Sequence, residues 1–158
     1  MYNELFRRVQ AANKEIRSIR GTIKRAQHLT ILEVKDDELR TVVSELYDNR
    51  HYSEAVAAGY KYLNNLVKTR CGVDSLDGAD LMRQAFSPKK PLLKINPNVT
   101  QSERNEQLGY MDIYAGCMTG IRNPRAHETY WPDDEYQAKL LIELADHLVT
   151  KVRNASYT

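Results

Sequence analysis

Apolar residues in the first part of the chain recur at alternating steps of four and three. This spacing places them along one side of a helix, as in a coiled coil or a helical bundle, and it predicts a helix over residues 3–24. The positions that form this apolar seam are Leu5, Val9, Ala12, Ile16, Ile19 and Ile23. Such a seam needs a partner, which is either the body of the domain or a second subunit.

Further apolar stripes, bounded by capping residues and by glycine, predict the rest of the fold. The predicted helix starts are Asp36 or Asp37, Ser53, Asp77, the capping box of Thr100 and Glu103, and Asp133, and Gly72 is the predicted end of the third helix. The mixed segment 28–35 predicts a linker with some extended character. Together these patterns predict an all-α protein, an antiparallel helical bundle of about five substantial helices.

Residues 87–98 interrupt the helical patterns with three of the five prolines of the chain. A loop of about a dozen residues is long for a compact bundle, and long loops often carry function. Lys89, Lys90 and Lys94 make this loop basic. It is therefore either a loop that contacts a substrate, chiefly through Lys89 and Lys90, or a plain connector.

The composition is that of an ordinary folded domain. The chain has 158 residues, of which 42% are hydrophobic and 28% charged, enough for one core. It has neither a signal-peptide pattern nor an apolar run of membrane-spanning length, so we expect a cytoplasmic protein that does not enter a membrane. Cys71 and Cys117 lie in no zinc-binding spacing, and we expect no metal and no cofactor.

Positive charge is concentrated at the beginning of the chain. Residues 1–25 contain seven basic and two acidic residues, a net +5, whereas the whole chain carries only +2. We therefore divide the chain into a basic amphipathic N-terminal helix over residues 1–27 and a helical domain over residues 36–155. A basic helix attracts nucleic acid by counterion release, and the alternative is an ordinary solvated helix face.

The segment 120–128 concentrates the chemistry. Arg122 and Arg125 can donate forked hydrogen bonds to phosphate, and His127 can exchange a proton near neutral pH. On an unbroken helix Arg122 and His127 lie about 140° apart, so Pro124 is expected to break the helix and let them converge. The natural ligand of such a cluster is a phosphodiester. Trp131, which follows closely, is a candidate for stacking on a base.

The Arg122–His127 spacing resembles the R-x4-6-H motif of the HEPN superfamily of small helical nucleases and nucleotide-binding domains. A longer string, spread over residues 36–152, is similar to the Ymh-type, abortive-infection-like branch of that superfamily. Besides the segment 120–128, this string consists of Asp77-Gly78, Leu81-Met82, Ala85-Phe86-Ser87-Pro88 and Pro91-Leu92-Leu93.

The resemblance implies a HEPN-like bundle that cleaves RNA without a metal, by attack of the 2′-hydroxyl, and leaves a 2′,3′-cyclic phosphate. His127 would be the acid–base group, Arg122 would stabilise the developing charge, and Asn123 would orient the imidazole or the phosphate. Arg125 would make a second phosphate contact and Glu128 would orient His127. Family members usually form homodimers with a composite groove, and an antitoxin or another regulatory partner is a further expectation.

Other functions remain open. HEPN-like domains also bind nucleotides or RNA without cleaving, act as targets and regulators in toxin–antitoxin pairs, or serve as non-catalytic scaffolds. An ordinary helical interaction protein lies outside that class altogether. A metal-dependent nuclease is disfavoured because no Asp, Glu or His cluster has ligand-like spacing, and no glycine-rich phosphate loop is present.

Overall fold

The computed structural model describes residues 2–128 and 130–157, with the side chains of all of these except residues 2, 3, 5 and 22–30. The chain divides into two compact units, Met1–Ile31 and Leu32–Thr158. The first unit is a single helix, α1 (Tyr2–Thr30). The predicted N-terminal helix is therefore confirmed, although it extends through residues 28–30, which were predicted to belong to a linker. Leu5 and Ile23 of the predicted seam lie outside the described side chains.

The second unit is a helical bundle with one small sheet. Its elements are α2 (Asp37–Asp48), α3 (Tyr52–Cys71), α4 (Gly78–Ala85), α5 (Gln101–Cys117), a π-helical turn (Met118–Arg122), α6 (Asn123–His127) and α7 (Glu135–Asn154), with the two-residue strands β1 (Leu93–Lys94) and β2 (Ser156–Tyr157). Within the described residues, five helices have twelve or more residues. The predicted all-α class is confirmed.

The helix ends show why the local sequence determined most of these bounds. Asp36 accepts a hydrogen bond from the Leu39 backbone N–H at the start of α2. Thr100 and Glu103 form the predicted capping box of α5. Gly72 ends α3 in the left-handed conformation, with φ +62°, where glycine avoids the steric cost of a side chain.

Two predicted caps are wrong. The helix α3 begins at Tyr52 with His51 at its N-cap position, not with Ser53 there. The helix α7 is capped by Asp134, whose carboxylate accepts from the Gln137 backbone N–H, and not by Asp133. Both assignments chose between neighbouring polar residues, and the side chain of Asp133 is used by a tertiary contact described below.

The core lies around α3, which packs between α2 and α7, while α4 packs on α5. Buried apolar side chains line these contacts because each helix presents one apolar stripe to its neighbours. Tyr60 of α3 is fully buried and donates to the Leu141 carbonyl on α7, and Tyr114 of α5 stacks on Phe86 with ring centroids 4.2 Å apart. The helix α3 also packs against the π-helical turn and α6.

The loop between α4 and α5 is pinned to the bundle by Gln107. This fully buried side chain donates to the Phe86 and Leu93 carbonyls and accepts from the Ile95 backbone N–H. The loop also contributes β1, which pairs antiparallel with β2; the sequence predicted an irregular loop here. Within the described part of the chain, no helix is long and apolar enough to cross a membrane.

Candidate functional site

The motif lies on a continuous helical run, not at a helix break. Asn123 has φ −61° and ψ −45°, and its backbone N–H donates to the Met118 carbonyl, five residues back, as in a π-helix. Pro124 then occupies the first turn of α6, a position that tolerates proline. The prediction that Pro124 pushes Asn123 out of the α region and breaks the helix is therefore wrong. The π-helical turn widens the helix just before Pro124, so the helical run continues through the proline.

Arg122 is held by the beginning of α4. Its Nη1 lies 3.2 Å from Asp77 Oδ2, and its side chain is 22% exposed. Asp77 in turn accepts from the Asn64 amide of α3 and lies near the Lys68 ammonium. Because a guanidinium has five N–H donors, this ion pair orients Arg122 and leaves donors for a ligand.

The same contacts favour the charged form of Asp77. Burial alone would raise the pKa of this carboxyl group, but the hydrogen bond from Asn64 and the charges of Arg122 and Lys68 outweigh that effect. The pKa of Asp77 is therefore lowered from its ordinary value of 3.8. The anchor for Arg122 is thus ionised throughout the physiological pH range.

His127 is the last residue of α6 and is exposed. Among the described residues, its imidazole has no hydrogen-bond or ion-pair partner, so both ring nitrogens are available to a ligand. Asn123 is half-buried and lies four residues earlier on the same helix. Residues at this spacing are neighbours on one helix face. The helix therefore places the Asn123 amide, and not the Arg122 guanidinium, next to the His127 imidazole.

Arg125 and Asp133 form a buried ion pair. Arg125 Nε donates to Asp133 Oδ2 at 2.6 Å and Nη2 to Oδ1 at 2.5 Å, and the two side chains are 3% and 0% exposed. A third donor, Nη1, bonds to the Ile121 carbonyl, and the guanidinium lies over the Trp131 ring, 5.5 Å from its centroid. The pair fastens the loop after α6 to the motif helix.

A cavity of about 300 Å³ opens beside this loop. One wall is the turn between α2 and α3, and the other is the segment that follows α6. Its lining consists of residues 50–54 and 130–133 together with Arg125 and Glu128. The structure therefore brings three of the predicted site residues, Arg125, Glu128 and Trp131, to one cavity. Arg122, Asn123 and His127 are not among its lining residues.

The sequence did not single out Arg50 and His51, which line this cavity. Arg50 follows the end of α2 in a Schellman motif, because its N–H donates to the Tyr47 carbonyl and that of His51 to the Leu46 carbonyl. Its φ is +64°, a conformation that glycine adopts freely and a long side chain does not. The signal in the sequence is that an arginine follows the end of α2 at the position where a helix usually ends with glycine. Backbone strain of this kind is concentrated at functional sites.

Lys89 and Lys90 lie away from this cavity. Both are exposed in the loop after α4, and Lys90 lies along a shallow groove beside Asp80 and Arg83. They can contact a polyanion that extends along α4, but they do not line the cavity. Among the described residues, no group of three or more His, Cys, Asp or Glu side chains is arranged to hold a metal ion.

Comparison with known proteins gives one match. The family described as "Protein of unknown function (Hypoth_ymh)" matches residues 34–152. This span contains α2 to α6 and most of α7, and hence every candidate site residue. No curated protein and no solved structure matches the chain.

Proposed function

We propose that this chain, which belongs to the Hypoth_ymh family, is a metal-independent endoribonuclease of a prokaryotic defence or toxin–antitoxin system. The observation that carries the proposal is the exposed His127 imidazole, free of partners among the described residues, on the same helix as an anchored arginine. The spacing of the two residues resembles the HEPN motif, and the longer string resembles its abortive-infection-like branch.

In the proposed reaction, His127 accepts the proton of a ribose 2′-hydroxyl. The 2′ oxygen then forms a bond to the adjacent phosphorus, and the bond from phosphorus to the 5′ oxygen of the next nucleotide breaks. An imidazolium returns a proton to that leaving oxygen, so the products are a 2′,3′-cyclic phosphate and a 5′-hydroxyl. General acid–base catalysis of this kind contributes roughly 10²–10⁴ in rate.

Arg122 stabilises the negative charge that develops on the non-bridging oxygens. Asp77 holds its guanidinium in place, so that it is oriented before a substrate binds. Asn123, one turn before His127, would orient the imidazole or the phosphate through its side-chain amide when RNA is bound. At the roughly 100° per residue of an ideal α-helix, Arg122 and His127 would lie about 140° apart around the helix axis.

This separation supports a site composed of two chains. In one protomer Arg122 faces α4, whereas His127 lies at the exposed end of α6, so Arg122 of one chain and His127 of its partner would serve one phosphate. The exposed face of α5 also suits contact with a second copy. Ile113 is 44% exposed there, and a Cβ added at Gly116, or at Gly120 in the π-helical turn that follows, would meet no atom within 4 Å.

The cavity would receive a nucleotide next to the cleaved bond. Trp131 and Tyr130 offer aromatic surface for stacking on a base, and Arg50 offers a cation at the opposite wall. The Arg125–Asp133 pair fixes the loop that carries these aromatic side chains, so Arg125 acts through the loop and does not need to touch phosphate. Lys89 and Lys90 would contact the RNA backbone further along the strand.

The second candidate is a non-catalytic nucleotide- or RNA-binding or interaction domain. The observation that favours it is that the cavity shares no lining residue with the pair Arg122 and His127. A ligand in this cavity could therefore be bound without being cleaved. In both cases an antitoxin or another regulatory protein that covers the cavity would restrain the activity.

The test is cleavage of a panel of tRNA and single-stranded RNA in excess EDTA, with the product ends mapped. Wild type is compared with His127→Ala and Arg122→Ala, and His147→Ala is the matched control because His147 is an exposed histidine bonded to Tyr110. We expect cyclic-phosphate ends from wild type and the control, and none from the other two variants. A folded wild type that binds RNA but cleaves none would favour the second candidate.

Subunit mixing tests the composite site directly. If each site takes Arg122 from one chain and His127 from the other, an equal mixture of Arg122→Ala and His127→Ala chains regains about a quarter of wild-type activity after exchange, since half of the dimers are mixed and each has one intact site. If each site lies within a single chain, the mixture stays inactive.

A further inference from the structure

The helix α1 has an apolar stripe whose described side chains are exposed. Along its described part, Phe6, Val9, Ile16 and Ile19 are 63%, 50%, 46% and 51% exposed. A helix of 29 residues spans about 43 Å. Such helices are stabilised mainly by packing of the apolar face and only weakly by intrinsic propensity. We therefore expect another helix to pack against this stripe.

The order of the apolar residues identifies the kind of partner. In heptad notation, Val9 and Ile16 occupy a positions and Ala12 and Ile19 occupy d positions. β-branched residues at a occur in two-stranded parallel coiled coils, which usually have leucine at d, where this chain has Ala12 and Ile19. The a and d positions form a coiled-coil seam, and Phe6, at an e position, extends its apolar face on one side.

The charges beside the seam are complementary in the parallel arrangement. Glu15 occupies a g position and Arg20 the e position five residues later. In a parallel pair, each g residue faces the e residue of the following heptad on the partner, so Glu15 would meet Arg20 twice. The preceding g residue, Arg8, would meet the neutral Asn13. An antiparallel pair brings g to g and e to e, and it would lose the Glu15–Arg20 pairing.

We propose that α1 pairs with α1 of a second copy of this chain as a parallel two-stranded coiled coil, with Glu15 of each helix facing Arg20 of the other. The basic residues Arg7 and Lys14 occupy f positions, which point away from the seam, so pairing leaves their charges in solvent. This proposal does not depend on the proposed nuclease function. A coiled coil of this kind has a two-fold axis and is compatible with one closed dimer.

Cysteine cross-linking of the full-length chain tests the arrangement. In a parallel pair the two Val9 positions are adjacent, within the Cα separation of about 4.4–6.8 Å that a disulfide spans. In an antiparallel pair centred on the helix they are far apart. Val9→Cys is expected to give a disulfide-linked dimer under mild oxidation, and the matched control Gln10→Cys, one position away and outside the seam, to give none. Wild type, which contains Cys71 and the buried Cys117, measures the cross-linking that occurs without an added cysteine.

Charge exchange tests the partner. Glu15→Arg and Arg20→Glu are each expected to reduce Val9→Cys cross-linking, because each puts like charges face to face. An equal mixture of the two chains, or the double exchange within one chain, is expected to restore it. Equal cross-linking of the Val9 and Gln10 variants, or single exchanges without effect, would overturn the proposal and point to the body of the domain or another protein as the occupant.

Discussion

Replacing Arg125 by Met is expected to destabilise the protein strongly through the carboxylate that it leaves behind. Asp133 has a side chain that is fully buried and accepts two hydrogen bonds from Arg125. Removing one member of a buried ion pair costs roughly 3–5 kcal/mol, because the other charge stays buried without compensation. The hydrogen bond from Arg125 to the Ile121 carbonyl is lost as well.

We expect the lower end of that range, about 3 kcal/mol. The loop after α6 can move outward and hydrate Asp133, so the cost is limited by the free energy of detaching the loop. Urea unfolding followed by circular dichroism measures the free energy of unfolding. For a chain of this size, the corresponding fall in Tm is about 6–12 °C.

A double-mutant cycle separates the ion pair from packing. Arg125→Met and Asp133→Leu are each expected to be destabilising, whereas the double variant should unfold within about 1 kcal/mol of wild type, since apolar replacement of a buried pair is often neutral. A cost below about 1 kcal/mol for Arg125→Met alone, or additive single costs, would refute the buried pair. Retained RNA cleavage by the double variant would support a positioning role for Arg125, and lost cleavage would indicate a phosphate contact.

Three further predictions follow from single side chains. Arg50→Gly should raise the free energy of unfolding by about 0.5–1 kcal/mol, because glycine adopts the left-handed backbone conformation without strain. The same variant should bind RNA more weakly, and urea unfolding and a binding titration measure the two effects. A less stable variant would contradict the inference that Arg50 is strained. Gln107→Leu should lower the free energy of unfolding by about 2–4 kcal/mol, because three backbone groups lose their buried partner. Hydrogen exchange should increase in the loop after α4. An unchanged free energy of unfolding would mean that other contacts hold this loop. Asp77→Asn should make the free energy of unfolding depend less on pH in acid. The pKa of Asp77 is lowered in the folded state, so this carboxylate stabilises the fold fully above its ordinary pKa of 3.8. That stabilisation is lost as the pH falls through the lower pKa of the folded state. Acid unfolding curves that are the same for wild type and this variant would exclude the Arg122–Asp77 anchor.

The sequence by itself determined the features that depend on a few neighbouring residues. Periodicity placed the long helices, and the cap at Asp36, the box at Thr100 and Glu103 and the end at Gly72 were all found where predicted. Each of these rests on hydrogen bonds or steric limits within about four residues. The match to the Hypoth_ymh family, over residues 34–152, covers the segment that contains the longer motif string.

Only the tertiary structure decided how the motif residues are used. Asp133 pairs with Arg125 and leaves the capping of α7 to Asp134, Arg122 is anchored by Asp77 of another helix, and a π turn absorbs Pro124. The cavity beside the motif is built partly by a turn more than 70 residues earlier in the chain. Helix packing sets these distances, and packing depends on how all the apolar stripes fit together, which no short stretch of sequence specifies.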